Sequence, residues 1–170
     1  MNLKNMSIYL VLLLTVGIIT LSAFSPGSTE QEETPLEPAE ITPSEPEIIS
    51  VDDITSIEWQ WTGLLETDPV AQSVVPDPEN YTLSLFPDGT YSIKADCNRG
   101  SGSYTLEGNT LTLGPGPMTL AACGPDSLYD QYVTLLFNVK SVAMENGQLI
   151  VYSGDNGDKM FFSNGGQVEE

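Results

Sequence analysis

Hydrophobic and polar residues alternate with a period of two over most of the chain from Ile57 onward. Ile57, Trp59 and Trp61 alternate with Glu58, Gln60 and Thr62, the signature of a half-buried strand. Tyr81, Leu83 and Leu85 alternate with Thr82 and Ser84 as far as Pro87-Asp88-Gly89, where proline presets φ and glycine accepts positive φ. Tyr91, Ile93 and Ala95 then return opposite Ser92, Lys94 and Asp96, predicting a hairpin. A second hairpin is predicted from residues 103–106 and 110–113 around Glu107-Gly108-Asn109, and a short strand over residues 118–122. Val70 to Asn80 reads as a loop bounded and interrupted by Pro69, Pro76 and Pro78.

The period changes once. Leu128, Tyr132, Leu135, Leu136 and Val139 form one apolar stripe at helical spacing, with Ser127 and Asp130 as a capping pair at its start. Strands return at residues 139–144, 148–152 and 159–162, joined by Asn146-Gly147 and by Gly154-Asp155-Asn156-Gly157. These elements predict a mainly β (α+β) domain over residues 54–166. Its seven or eight strands form a small curled antiparallel sheet or partly closed barrel with one packed α-helix.

The N-terminal third has a different pattern. Residues 7–24 are uncharged and span roughly 27 Å as a helix, close to the thickness of a bilayer core. Residues 1–24 therefore read as an uncleaved membrane anchor or a signal peptide. The first places the domain outside the cytoplasm on a single-pass tether; the second secretes it. No cysteine lies near this segment to accept a lipid. Residues 25–53 combine Pro26, Pro35, Pro38, Pro43 and Pro46 with nine acids, the composition of a disordered linker or stalk. Residues 167–170 read as a disordered tail.

Charge narrows the partners. The 170 residues carry 24 acids, 5 bases and no histidine, a net charge of −19. Between Thr55 and Gly166, 13 acids face only Lys94, Arg99, Lys140 and Lys159. A nucleic-acid partner is not expected from such a surface. The expected partners are the membrane, through the apolar helix, and a protein or small-molecule ligand.

Candidate chemistry gathers at residues 96–104, which hold one of the two cysteines and the single arginine. Cys97 and Cys123 are a disulfide pair in an exported chain or two half-buried free thiols. Asp96, Asn98, Arg99, Gly100, Ser101 and Gly102 form a candidate functional loop. Asn98 and the glycines are the residue types that shape a turn at positive φ. Arg99 can fork onto a carboxylate of a ligand or of the domain itself, with Asp96 three residues away.

Catalytic residues, a metal site and a cofactor are not expected. No histidine can take a proton from a cysteine, and arginine cannot act as the base. Two cysteines leave a zinc site short of ligands. Gly100-Ser101-Gly102 lacks the lysine and helix of a phosphate-binding loop. Asp155-Asn156-Gly157-Asp158 lacks the glutamate at the twelfth position of a calcium loop, where Gly166 stands. Trp59 and Trp61 share a strand face and read as core, not as a sugar-stacking platform.

Phe86-Pro87-Asp88-Gly89-Thr90-Tyr91, Asp96 to Tyr104, Gly108-Asn109-Thr110-Leu111-Thr112 and Ala121-Ala122-Cys123 occur in an order that resembles the META domain (HslJ-like) family. The resemblance spans about Ile57 to Phe162. It implies a small β-rich domain, often exported or lipid-anchored in the bacterial envelope, with no established catalytic mechanism. Some relatives are linked to heat shock, antibiotic tolerance or motility. The chain lacks the lipid-accepting cysteine of the lipoprotein members, so their mode of anchoring does not carry over. The resulting expectation is a non-enzymatic, envelope-tethered domain that binds a ligand or partner in envelope stress. The alternatives are a cell-surface thiol or hydrolytic enzyme, and a surface spacer.

Overall fold

The computed structural model describes residues 48–168. The apolar segment 7–24, linker residues 25–47 and Glu169–Glu170 lie outside the described residues. A helical turn, α1 (Val51–Ile54), leads into β1 (Ile57–Thr67) and β2 (Val70–Val74). A 3-10 turn at Pro78–Asn80 precedes β3 (Tyr81–Leu85), β4 (Thr90–Ala95), β5 (Asn98–Glu107) and β6 (Thr110–Leu113). The helix α2 (Tyr129–Phe137) is followed by β7 (Val139–Glu145), β8 (Gln148–Ser153) and β9 (Asp158–Gln167).

The nine strands make one antiparallel sheet in the order β6-β5-β4-β3-β1-β9-β8-β7, with β2 paired to β1 beside this path. The sheet curls until its ends meet. Val142 N–H of β7 donates to the Asn109 carbonyl in the β5–β6 turn at 2.8 Å, giving a nearly closed barrel. The β3–β4 hairpin forms as its turn residues predict. Asp88 Oδ1 accepts from Thr90 N–H at 2.8 Å and from Thr90 Oγ1 at 2.6 Å, while Gly89 takes φ +85°.

Alternation decides what the barrel encloses. Trp59, Trp61, Leu83, Leu85, Tyr91, Leu149 and Phe162 are buried, and each removes apolar area from water. Both indole N–H groups retain partners: Trp59 Nε1 donates to Ile54 O at 2.9 Å and Trp61 Nε1 to Gly63 O at 2.8 Å. The helix α2 buries Tyr132 and Leu136 in the same core. The Tyr132 ring lies 5.4 Å from Trp61, 5.7 Å from Tyr81 and 6.5 Å from Phe162.

Several boundaries differ from the sequence reading. Val70–Val74 is a strand, not loop, pairing with Gly63 to Thr67; Pro69 and Pro76 bound it without interrupting its ladder. Residues 118–122 form no strand, only an isolated bridge between Met118 and Gly100. Helix α2 stops at Phe137, so Val139 opens β7. Ser127 Oγ accepts from Tyr129 N–H at 3.2 Å, and Leu128, not Ser127, occupies the cap position. The fold also begins before residue 54: Ile49 and Ile54 belong to the core. At the other end Gln167 lies in β9, and Val168 N–H donates to Ser56 O at 3.0 Å.

Candidate functional site

The β4–β5 turn consists of Asp96 and Cys97, flanked by the pair Ala95 and Asn98. Asp96 takes φ +56°, one of the residue types that tolerate the left-handed region. Gly100 and Gly102 do not shape this turn, contrary to the sequence reading; they are strand residues of β5. They lack a side chain because neighbours stand where a Cβ would be. At Gly100 a Cβ would meet Met118 Cε at 2.9 Å, and at Gly102 the Tyr91 ring at 2.7 Å and the Gly114 carbonyl at 2.9 Å.

Strand alternation then divides the candidate loop between two faces. Asn98 and Tyr104 are buried, whereas Arg99, Ser101 and Ser103 are exposed. Asn98 is 0% exposed and each of its polar atoms has partners. Its Oδ1 accepts from Ala121 N–H at 2.7 Å and from Thr119 Oγ1 at 3.0 Å. Its Nδ2 donates to Ala121 O at 3.0 Å and approaches Cys123 Sγ at 3.3 Å. Thr119 Oγ1 in turn accepts from Arg99 N–H at 2.9 Å.

These bonds hold the segment from Gly114 to Ala121 along the edge of β5. Gly114 N–H donates to Ser103 O at 2.7 Å, Ser101 N–H to Pro117 O at 3.2 Å and Thr119 N–H to Arg99 O at 2.9 Å. Tyr91 Oη donates to Gly114 O at 2.8 Å. Pro115 and Pro117 have no N–H to offer, which explains why the ladder is broken. Cys97 and Cys123 complete the clasp as a disulfide, with Cα atoms 5.6 Å apart and a sequence separation of 26. Thr119 and Ala121 carry no local sequence signal for this role.

Arg99 does not pair with Asp96. Among the described residues the ion pair within 4.0 Å is Lys140 Nζ with Asp155 Oδ1 at 3.5 Å, both exposed. Surface depressions surround the clasp. One of about 450 Å³ is lined by Leu120, Ala121, Cys123 and Tyr129. Another of about 410 Å³ is lined by Asp77, Asn80, Asp96 and Asp126, and a third of about 340 Å³ lies beside Arg99.

The remaining candidates resolve as structure. Gly154 to Gly157 makes the β8–β9 turn, and Asp158, which opens β9, accepts from Thr67 N–H through its Oδ1 at 2.9 Å. Trp59 and Trp61 are buried, so neither offers a stacking surface. Burial raises the Tyr91 and Tyr104 hydroxyl pKa values, for Tyr104 with a smaller contribution from the Asp88 charge. Hydrogen bonds from Thr90 lower that of Asp88. Among the described residues no three His, Cys, Asp or Glu side chains gather to hold a metal.

Comparison with known proteins places this architecture. A family model for the META domain matches residues 52–165. A protein from Burkholderia xenovorans solved by NMR is similar in fold, with TM-score 0.59 and 23% identity over 79% of this chain and 100% of that one. A second NMR structure is similar at TM-score 0.54 and 18% identity, over 68% of this chain and 95% of that one. A DUF4847 family protein from Bacteroides vulgatus aligns at TM-score 0.47 and 11% identity, over 68% of this chain and 96% of that one. No curated protein matches.

Proposed function

Since the chain belongs to the META domain family, we propose that it acts as an envelope-tethered binding domain without catalytic chemistry of its own. The apolar segment 7–24 anchors it in a membrane, the acidic stalk holds it outside the cytoplasm, and it engages a ligand or partner during envelope stress. The observation that carries this reading is how the polar groups of the clasp are used. Asn98, Thr119 and both cysteines are committed to holding backbone in place. A nucleophile needs an adjacent base, and a thiol enzyme needs a free thiolate. The interior is also filled by large side chains, which leaves the outer surface for recognition.

Intact cells of the native host, carrying a C-terminally tagged chain, test this reading. Protease added from outside is expected to release the tagged domain from the membrane fraction, with Cys97 and Cys123 resistant to alkylation until reduced. A deletion strain is expected to lose fitness under heat or envelope stress. Protection from external protease overturns the placement, and freely alkylated cysteines overturn the bridge in favour of a thiol chemistry. An unchanged deletion strain overturns the stress role.

A further inference from the structure

The outward face of the β4–β5 hairpin runs against the composition of the rest of the domain. Register sets Lys94 opposite Arg99, Ser92 opposite Ser101 and Thr90 opposite Ser103. Six neighbouring positions thus hold two cations, four hydroxyls and no acid, in a domain where acids outnumber bases by 13 to four. Like charges directly opposite each other across an antiparallel pair destabilise it. In so acidic a domain, carboxylates are plentiful to relieve that repulsion, yet among the described residues neither cation has one within ion-pair distance.

The two cations are held without being neutralised. Lys94 Nζ donates to the Glu79 carbonyl at 2.9 Å and to Asn80 Oδ1 at 2.8 Å, both uncharged acceptors. Arg99 has its backbone fixed on both sides, N–H to Thr119 Oγ1 at 2.9 Å and carbonyl from Thr119 N–H at 2.9 Å. The disulfide and the Asn98 clasp lock this stretch, so the exposed guanidinium projects from a rigid base. Beside it the depression of about 340 Å³ is lined by Gly100, Ser101, Pro117, Met118 and Thr119. Asp96 is the acid nearest in sequence to both cations, and among the described residues it pairs with neither. Asp88, which accepts from Thr90 Oγ1 at 2.6 Å, stands at the opposite end of this face.

We propose that Lys94 and Arg99, opposite each other across the β4–β5 ladder and beside the Gly100–Met118 depression, bind the oxyanion groups of an anionic ligand. The guanidinium supplies a planar fork for a carboxylate or phosphate, and the ammonium a point charge. Ser92 and Ser101, paired two residues along the ladder, add hydroxyl donors beside them. The site deepens the binding role proposed above and rests on it for its biological purpose; whether the oxyanion binds is independent of where the chain resides.

The test uses the full chain in zwitterionic micelles at about 50 mM salt, where exposed charges are only partly screened. A hexaglutamate peptide and inorganic tripolyphosphate serve as carboxylate and phosphate probes, read by calorimetry and by amide shifts. At least one probe is expected to bind, with shifts confined to residues around 92–94 and 99–101, and the arm that binds identifies the oxyanion. Lys94→Gln and Arg99→Gln are each expected to weaken binding about tenfold, the loss of one charge-assisted hydrogen bond. Lys140→Gln and Lys159→Gln, on other parts of the surface, are expected to change it less than about twofold. Binding by neither probe overturns the proposal, as does an equal loss in the Lys140→Gln control. Should a variant fail to fold, the wild-type shift map decides alone: shifts spread over the whole surface overturn the site.

Discussion

Asn98 reaches Ala121 twice: its Oδ1 accepts the Ala121 N–H at 2.7 Å and its Nδ2 donates to the Ala121 carbonyl at 3.0 Å. A side-chain amide offers the same donor and acceptor as a peptide unit, so Asn98 supplies a rung that the proline-interrupted segment cannot make by backbone alone. Asn98→Ala removes both bonds and leaves the Ala121 backbone partnerless, at a cost of about 2–4 kcal/mol. Asn98→Asp is expected to do no better, since a carboxylate cannot donate to the Ala121 carbonyl and is itself desolvated. Urea unfolding followed by tryptophan fluorescence measures both. A wild-type midpoint for Asn98→Ala shows that the clasp does not hold the fold.

The disulfide acts on the same segment by a different route. Closing a loop across a sequence separation of 26 residues removes entropy from the unfolded chain worth about 3.5 kcal/mol in the chain-entropy model. The double variant Cys97→Ser, Cys123→Ser should therefore lose about that much stability. Reductant should reproduce the loss in wild type and leave the double variant unchanged. If reductant shifts the double variant equally, the bridge is not the source.

How much of this was legible in the chain depends on whether a residue's reason is local. Trp59 and Trp61, Tyr81 to Leu85 and Tyr91 to Ala95 are written in the alternation because each has one face in the core. Strand β2 was hidden because all five of its residues are exposed, with Val70 at 80% and Val74 at 82%, so no face is marked. Ile49 was hidden by the acidic, proline-rich composition around it. Asn98, Gly100 and Gly102 looked like turn formers because those residue types favour turns. Their real reasons are Ala121, Met118 and Tyr91, partners remote in sequence. The cysteine pairing was open to sequence reasoning, while Thr119 as the bridge between Asn98 and Arg99 was not.

Two glycines separate close packing from backbone strain. Gly108 takes φ +58°, and among the described residues nothing lies within 4 Å of where a Cβ would stand, so Gly108→Ala should cost only the left-handed strain, about 1 kcal/mol. Gly102→Ala drives a methyl against the buried Tyr91 ring and the Gly114 carbonyl, and should cost about 2–3 kcal/mol. The comparison is read from paired denaturation curves. An equal loss in the two variants removes the packing explanation for Gly102.

Tyr132 carries a liability. Its ring fills the core, but among the described residues its buried hydroxyl has no hydrogen-bond partner. Tyr132→Phe keeps the ring and removes the unsatisfied group, so stability should rise by about 1 kcal/mol. Tyr132→Ala should instead lose about 3–5 kcal/mol through the cavity it leaves. Burial also raises the phenol pKa well above its ordinary value of 10.0. The unfolded chain then releases this proton before the folded one does. Stability is complete below the ordinary tyrosine range and declines as pH rises through it. Tyr91 and Tyr104 act with the same sign, so Tyr132→Phe should lessen the alkaline decline without abolishing it. Urea midpoints at about pH 8 and pH 11 show the slope. Identical slopes for Tyr132→Phe and wild type remove Tyr132 from the account.

Asn109 joins two parts of the molecule that are far apart in sequence. Its Oδ1 accepts Ile49 N–H at 2.9 Å, and its carbonyl accepts Val142 N–H at 2.8 Å. Traction on the chain ahead of Ile49 is therefore delivered to the seam where β7 meets the β5–β6 turn. A tug on the N-terminal side strains the very joint that keeps the cylinder shut, and mechanical load there would begin to open it.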